Sequence, residues 1–304
     1  MITPHLNGHA AAVSSDDLKP SEALRALLAE PGTSSMMSAH DALSAKIAVT
    51  EGIPAVWASG FSLSSALGVR DSSELTASDL VAAVDRMTDA VAAPVLVDGD
   101  TGFGNFNNAR QLVRKLCKVR AAGLCIEDKL FPKMNSFASG SQELIDSDEM
   151  SGKISACKEA QTDPEFCLVA RTEALICGLP VAEAIERASA YRDAGADAIF
   201  IHSKSSDADE VLTFADLWDF SIPLVVSPTT YPAVSIAELS GAGISLAIWS
   251  NQTLRAAVFA MRAVCRAYVQ GSGFEFQDSL ASIAEIFELF DYDELREAEA
   301  RFLP

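Results

Sequence analysis

Positive charge is scarce in this chain of 304 residues: 23 Lys and Arg stand against 42 Asp and Glu, a formal net charge of −19. Nucleic-acid phosphates and anionic membrane surfaces both require clustered Lys and Arg, so neither is an expected partner. An anionic ligand must instead be held locally, by a metal ion or by a few placed cations. No run of about 18 apolar residues occurs, which excludes a membrane-spanning helix. The first 20 residues, Met1 to Pro20, lack a basic start and an apolar stretch. No signal peptide is therefore expected, and this segment reads as a loose tail. Six cysteines are present (Cys117, Cys125, Cys157, Cys167, Cys177 and Cys265), and none form a Cys-x-x-Cys pair. A chain of this size needs no covalent staples, so reduced and mostly buried thiols in a cytoplasmic protein are expected. Phosphate-loop and hydrolase signatures are missing as well. Gly102-Phe103-Gly104 begins like a dinucleotide fingerprint, but Asn107 stands where the third glycine belongs.

What is present suits a large core: 49% of residues are hydrophobic and 21% charged, which fits neither a disordered chain nor a coiled coil. After a first helix at Ser21–Glu30, short apolar runs alternate with longer amphipathic ones. The runs predict strands at Ser34–His40, Pro54–Ser59, Pro94–Asp98, Gly123–Glu127, Phe166–Arg171, Asp197–His202, Pro223–Val226 and Ile244–Trp249. Helices are predicted at Asp41–Glu51, with Asp41 as cap, and at Ser78–Ala92, Asn107–Ala122, Ser147–Ala160, Val181–Ala194, Asp207–Trp218, Ser235–Ala242 and Gln252–Val269. Continuously apolar strands are buried on both faces, as in a parallel sheet. Eight such units in series favour a closed (β/α)8 TIM-type barrel, a single domain over 21–304, above an open doubly wound sheet. Phe274–Pro304 remains as one or two extra helices.

Barrel chemistry sits at the carboxyl ends of the strands. Those ends read Trp57-Ala-Ser-Gly60, Asp98-Gly-Asp-Thr-Gly102, Glu127-Asp-Lys129, Arg171-Thr-Glu173, His202-Ser203 and Trp249-Ser-Asn251. Asp98 and Asp100 are two apart on an extended segment, so both carboxylates are expected on one side. Close carboxylates need a positive centre between them, and hard oxygen ligands suit Mg²⁺, with Glu127 joining through water. The competing reading has Asp98 capping a helix and Asp100 solvated. Arg171 and His202 fall on the opposite arc and would clamp a dianionic or carboxylate ligand. Taken singly, Arg171 could equally serve a structural ion pair and His202 could simply be packed.

Asp98-Gly-Asp-Thr-Gly-Phe-Gly-Asn105 and Glu127-Asp-Lys-Leu-Phe-Pro-Lys-Met-Asn-Ser136 resemble the isocitrate lyase/phosphoenolpyruvate mutase superfamily, and within it the mutases. The resemblance runs from about Ser21 to Pro304 and takes in Leu67-Gly-Val-Arg-Asp71, Gly104-Asn-Phe-Asn-Asn-Ala-Arg110, Val169-Ala-Arg171, His202-Ser-Lys204 and Ile248-Trp-Ser-Asn251. It implies a barrel whose last helix is exchanged between subunits of a homotetramer, with 274–304 as that helix and its connection. The implied reaction interconverts phosphoenolpyruvate and phosphonopyruvate. It also implies Mg²⁺ held at Asp98, with Asp71, Asp100 and Glu127 acting through waters, and a substrate pocket lined by Trp57, Ser59, Gly60 and Phe61. A mobile gating loop is implied at Lys129–Gly140, carrying Lys133, Asn135 and Ser136 to the reacting groups beside Arg171 and His202.

Relatives differ in this loop. The lyases resemble Lys-Lys/Arg-Cys-Gly-His there, whereas this chain has Lys133-Met134-Asn135-Ser136 and so lacks the lyase proton donor. Phosphonopyruvate hydrolases, the alternative, look like Lys-Asp-Thr-Ser, without the Asn. A barrel that binds a 2-oxo acid or phosphonate without turnover is the third reading, disfavoured because the whole polar set is present. Departures from the pattern are Gly99 where alanine is common, Phe61 where leucine is common and Met134 where threonine is common.

Overall fold

The computed structural model describes residues 18–138 and 142–303. The expected tail at 1–17 and the loop positions 139–141 lie outside the described residues. Eight parallel strands close on themselves in chain order, which excludes the open sheet. They are β1 (Ser34–Ala39), β2 (Ala55–Ala58), β3 (Val95–Asp98), β4 (Gly123–Glu127), β5 (Cys167–Thr172), β6 (Ala198–Ile201), β7 (Leu224–Val226) and β8 (Leu246–Trp249). The outer helices are α1 (Pro20–Ala29), α2 (Ala42–Thr50), α3 (Gly60–Ala66), α4 (Ala77–Ala90), α5 (Phe106–Lys118), α6 (Ser147–Ala160), α7 (Val181–Asp193), α8 (Asp209–Leu217), α9 (Ile236–Gly241) and α10 (Gln252–Val269). A 3₁₀ turn at Gly273–Ser279 leads to α11 (Ile283–Leu289) and α12 (Tyr292–Phe302).

Asp41 caps α2 as expected, accepting from the Ser44 N–H at 2.7 Å. The sequence pattern shows no element at α3, whose seven residues lack an apolar stripe. It forms because Ser59 caps it, accepting from the Ser62 N–H at 3.2 Å.

Strand side chains alternate between two cores. Val56, Val97, Ile126, Ala170 and Ile201 face the helices. Trp57, Leu96, Cys125, Val169 and Phe200 fill the barrel interior. Leu24 and Leu28 of α1 join the interior set and plug the end of the barrel away from the site. Burying each contributes about 1.5–3 kcal/mol. Arg25 fastens α1 to the barrel by donating to the Glu165 carbonyl at 2.8 Å and to Asp197 at 3.0 Å.

The period of two has a direct consequence for function. Carried two residues past the interior positions Leu96, Cys125, Val169 and Phe200, it puts Asp98, Glu127, Arg171 and His202 in the inward phase. Asp98 and Glu127 are the last residues of their strands, while β5 runs one residue past Arg171. Glu127 pairs with Arg171 in the β4–β5 register. All six cysteines are free thiols. Among the described residues no helix is long and apolar enough to cross a membrane.

Candidate active site

A cavity of about 420 Å³ opens at the carboxyl ends of the strands. Trp57, Ser59, Phe61, Asp71, Asp98, Lys133, Asn135, Ser136, Arg171 and His202, all predicted as site residues, line it. The inner rings of Trp57 and Phe200, packed edge to face at 6.2 Å, form an apolar floor. Arg171 lies over the Phe200 ring at 5.1 Å.

Asp98 and Asp100 do converge, though not by strand alternation. β3 ends at Asp98, and Asp100 sits in a turn with φ of 50°, a left-handed conformation that Asp tolerates. The turn, closed by Gly102 N–H donating to the Gly99 carbonyl at 2.8 Å, folds the second carboxylate back over the first. Both press on Gly60: a Cβ there would lie 3.1 Å from Asp100 Oδ1 and 3.2 Å from Asp98 Oδ2. The Gly60 N–H donates to Asp98 Oδ2 at 3.1 Å, so this glycine braces the acidic pair.

Lys133 enters from the loop after β4. Its Nζ lies 2.5 Å from Asp71 and 2.9 Å from Asp100. Burial pulls its pKa down, but Asp100, Glu127 and Asp71 outweigh that and hold it above the usual lysine range. Burial pushes Asp100 up to about 7, against Lys133 and with help from Asp98. Burial likewise raises Glu127, with Arg171 opposing.

Among the described residues no three His, Cys, Asp or Glu side chains form a ready metal cage. The donor set nonetheless fits a divalent cation. Glu127 Oε1 is buried without a hydrogen-bond partner, its Oε2 lying 3.3 Å from Arg171. Asp100 Oδ1 also lacks a hydrogen bond, since the Lys133 contact misses bonding geometry. Four carboxylates (Asp71, Asp98, Asp100, Glu127) face two cations, Lys133 and Arg171. The balance of two negative charges, when all are ionised, matches a divalent cation.

In the loop after β4, residues 133–138 lie along the cavity as a strap. Its base is pinned where Lys129 pairs with Leu144 and the Leu130 N–H donates to the Glu143 carbonyl at 2.8 Å. On one flank Asn135 donates through Nδ2 to Asp71 at 2.5 Å, and through its backbone N–H to the Asp71 carbonyl at 3.0 Å. On the other, the Ser136 hydroxyl donates to Glu173 at 2.6 Å. Phe137 stands edge-on to His202, the rings 5.7 Å apart.

His202 Nδ1 lies 2.7 Å from Glu173 Oε1 and 2.8 Å from an Arg171 terminal nitrogen. A carboxylate only accepts and a guanidinium only donates, so Nδ1 can serve one of them. Burial would raise Glu173, but Arg171, then His202 and Lys129, hold it well below the usual carboxylate range. The Nδ1 proton therefore belongs to the bond with Glu173. Burial and then Arg171 lower the His202 pKa, so the ring of the free site is neutral.

Sequence reading passed over two participants, Glu173 and Lys129, although both lie in the strand-end segments it singled out. Lys129 Nζ donates to Ser136 at 2.7 Å and to the Met134 carbonyl at 3.0 Å. Ser227, Thr229, Ser250 and Asn251, from the ends of β7 and β8, add hydroxyl and amide groups to the far wall.

A family model described as phosphoenolpyruvate phosphomutase matches residues 24–269. The chain belongs to the phosphoenolpyruvate phosphomutase family. Phosphoenolpyruvate phosphomutase of Streptomyces hygroscopicus is 50% identical over 278 residues, 91% of this chain and 89% of the relative. The crystal structure of the phosphoenolpyruvate phosphomutase of Streptomyces platensis subsp. rosaceus is 41% identical. It matches with a TM-score of 0.91 over 93% of this chain and 99% of that one. A phosphonopyruvate hydrolase solved with oxalate and Mg²⁺ is 38% identical, with a TM-score of 0.89 over 94% of this chain and 100% of that one. The resemblance read from the motifs at Asp98–Asn105 and Glu127–Ser136 is thus borne out, as is the barrel. In this phosphomutase-family chain the strap carries neither cysteine nor histidine among its described positions from 130 to 138.

Proposed function

We propose that this chain interconverts phosphoenolpyruvate and phosphonopyruvate. The observation that carries the reading is the strap: it lays Asn135 over a cavity with carboxylates on one side and Arg171 on the other, and it offers no thiol or imidazole acid for carbon–carbon cleavage. The phosphomutase relative at 50% identity supports it.

Asp98, with Asp71, Asp100 and Glu127 around it, would hold Mg²⁺. The ion would supply charge stabilisation for the pyruvyl oxygens. Phosphoryl transfer passes through a loose, metaphosphate-like state, so catalysis rests on positioning and electrostatics. Arg171 supplies a fixed positive charge facing the transferred group. Asn135, beside it, supplies an amide donor. His202 is neutral in the free site, and a bound dianion nearby would favour its protonated form, with both nitrogens donating. Trp57 and Phe61 give the three-carbon skeleton an apolar wall, with Ser59 and Gly60 at the carboxylate end. The closed strap keeps out water, which would capture the phosphoryl group.

The assembly reading is a homotetramer formed by exchange of α11 and α12. α11 exposes Ile283 and Phe287, α12 exposes Leu295, the connecting Phe290 is exposed as well, and α10 exposes Val258, Phe259 and Met261. The charges complement: Glu285, Glu288, Asp293 and Glu294 on α11 and α12, Arg255, Arg262 and Arg266 on α10. A cytoplasmic location accords with the six free thiols.

Phosphorus-31 NMR of the purified protein with Mg²⁺ and phosphonopyruvate tests the reaction. The phosphonate signal should give way to a phosphate-ester signal, and a chelator should stop the change. Inorganic phosphate from the outset, with no ester, would make the protein a hydrolase. No change at all would leave a binding protein.

A further inference from the structure

Glu173 lies just past β5 and is fully buried. Its two oxygens face different parts of the molecule. Oε1 takes the Arg171 Nε–H at 2.5 Å and the His202 Nδ1–H at 2.7 Å, both on residues lining the cavity. Oε2 accepts from the Ser136 hydroxyl at 2.6 Å and lies 3.1 Å from Lys129 Nζ. One carboxylate thus ties the substrate-facing cation of the barrel to the strap residue next to Asn135. Ser136 is itself oriented: its Oγ accepts from Lys129 at 2.7 Å, which turns its own proton toward Glu173. Lys129 sits at the pinned root of the strap, so it stays if the tip lifts. Ser136 would leave with the tip, and Oε2 would lose the hydrogen bond from its hydroxyl, with Lys129 left 3.1 Å away. A buried anion stripped of a donor is unfavourable, which biases the strap toward closure.

We propose that Glu173 is a positioning residue: through Ser136 it latches the strap shut, and so sets how often water meets the reacting phosphoryl group. This deepens the mutase reading and rests on it. The leak has a definite chemistry. The oxygen of water bonds to phosphorus while the P–C3 bond of phosphonopyruvate breaks. The electron pair stays on the pyruvyl enolate, a proton from water ends on C3, and the products are pyruvate and inorganic phosphate. Asp71, holding Asn135 and Lys133 on the opposite flank, is an independent fastening, so loss of the latch loosens the strap without detaching it.

The test compares the full-length wild type with Ser136→Ala, Ser136→Thr, Glu173→Gln and the Ser136→Ala/Glu173→Gln pair. Phosphorus-31 NMR with Mg²⁺ and phosphonopyruvate reads phosphoenolpyruvate against inorganic phosphate. Hydrogen exchange of the amides at 130–138 in the unliganded protein reads the strap directly. Ser136→Ala should raise the share of phosphate by about tenfold, speed exchange at 130–138, and be largely rescued in Ser136→Thr. Glu173→Gln should do the same, and the pair should be no worse than the larger single effect. A phosphate share within about twofold of wild type in Ser136→Ala, unchanged exchange, or multiplying effects in the pair would overturn the latch. Should Glu173→Gln fail to fold, the two Ser136 variants decide alone. A wild type that releases phosphate without forming phosphoenolpyruvate overturns the mutase reading instead, and exchange then judges the latch by itself.

Discussion

Asn135 is bound twice to Asp71, by its side chain and its backbone, and its side-chain oxygen Oδ1 accepts from the Phe137 N–H at 2.9 Å. Its amide is thereby held rigid over the cavity, which is what a transition-state donor requires. Asn135→Ala should lower turnover by about 10²-fold with KM little changed. A loss within about threefold, ~0.6 kcal/mol, would take Asn135 out of the reaction. Asp98 carries the metal reading. Asp98→Ala should abolish the response of activity to Mg²⁺ and, in calorimetry, the heat of Mg²⁺ binding; heat that survives would move the ion elsewhere. Asp128, between two site residues in sequence, serves stability. It accepts from the Glu173 N–H at 2.8 Å and the Tyr191 hydroxyl at 2.7 Å, and lies 3.4 Å from Arg187. Asp128→Ala strands a cation and buried donors, so denaturant unfolding should show a loss of about 3–5 kcal/mol.

The element that shapes the acidic side is the turn from Asp98 to Gly102. Gly99 fits there because Leu124 of β4 fills the space that a side chain would take: a Cβ would come within 2.4 Å of Leu124 Cδ1 and 3.1 Å of the Cys125 carbonyl. Gly99→Ala should cost about 1–3 kcal/mol by overpacking. Leu124→Val introduced with it should recover most of that loss, since it removes the conflicting carbon. Equal losses with and without Leu124→Val in chemical denaturation would locate the strain in the backbone. The reading of Asp98 and Asp100 as one cluster was correct in result and wrong in cause. Alternation along a strand suggested it, but the left-handed turn at Asp100 produces it. A strand pattern cannot reveal a positive φ on a non-glycine residue.

At the scale of the molecule, α11 and α12 present apolar faces that the barrel does not cover. Phe259, 77% exposed on α10, lies on the face proposed to receive them. Phe259→Glu should reduce the mass measured by light scattering below that of a tetramer while the barrel's circular dichroism stays unchanged. A wild-type mass in that variant would place the contact elsewhere.

The sequence by itself determined the barrel and the ring of polar residues at its mouth. Strands buried on both faces read as plain apolar runs, and the period of two carries Asp98, Glu127, Arg171 and His202 inward wherever such a strand ends. The motifs at Asp98–Asn105 and Glu127–Ser136 carried the family for the same reason: they are local and contiguous. The tertiary structure decided who meets whom. Glu173 is separated by 37 residues from Ser136 and by 29 from His202, yet bonds both. Asp71 is held by Lys133 and Asn135, 62 and 64 residues away. No spacing rule predicts these pairs, because they depend on where a strap without regular structure lands after the barrel has closed. What selects them is the cost of burying Glu173 and Lys133 unpaired, a force that exists only once water has been removed.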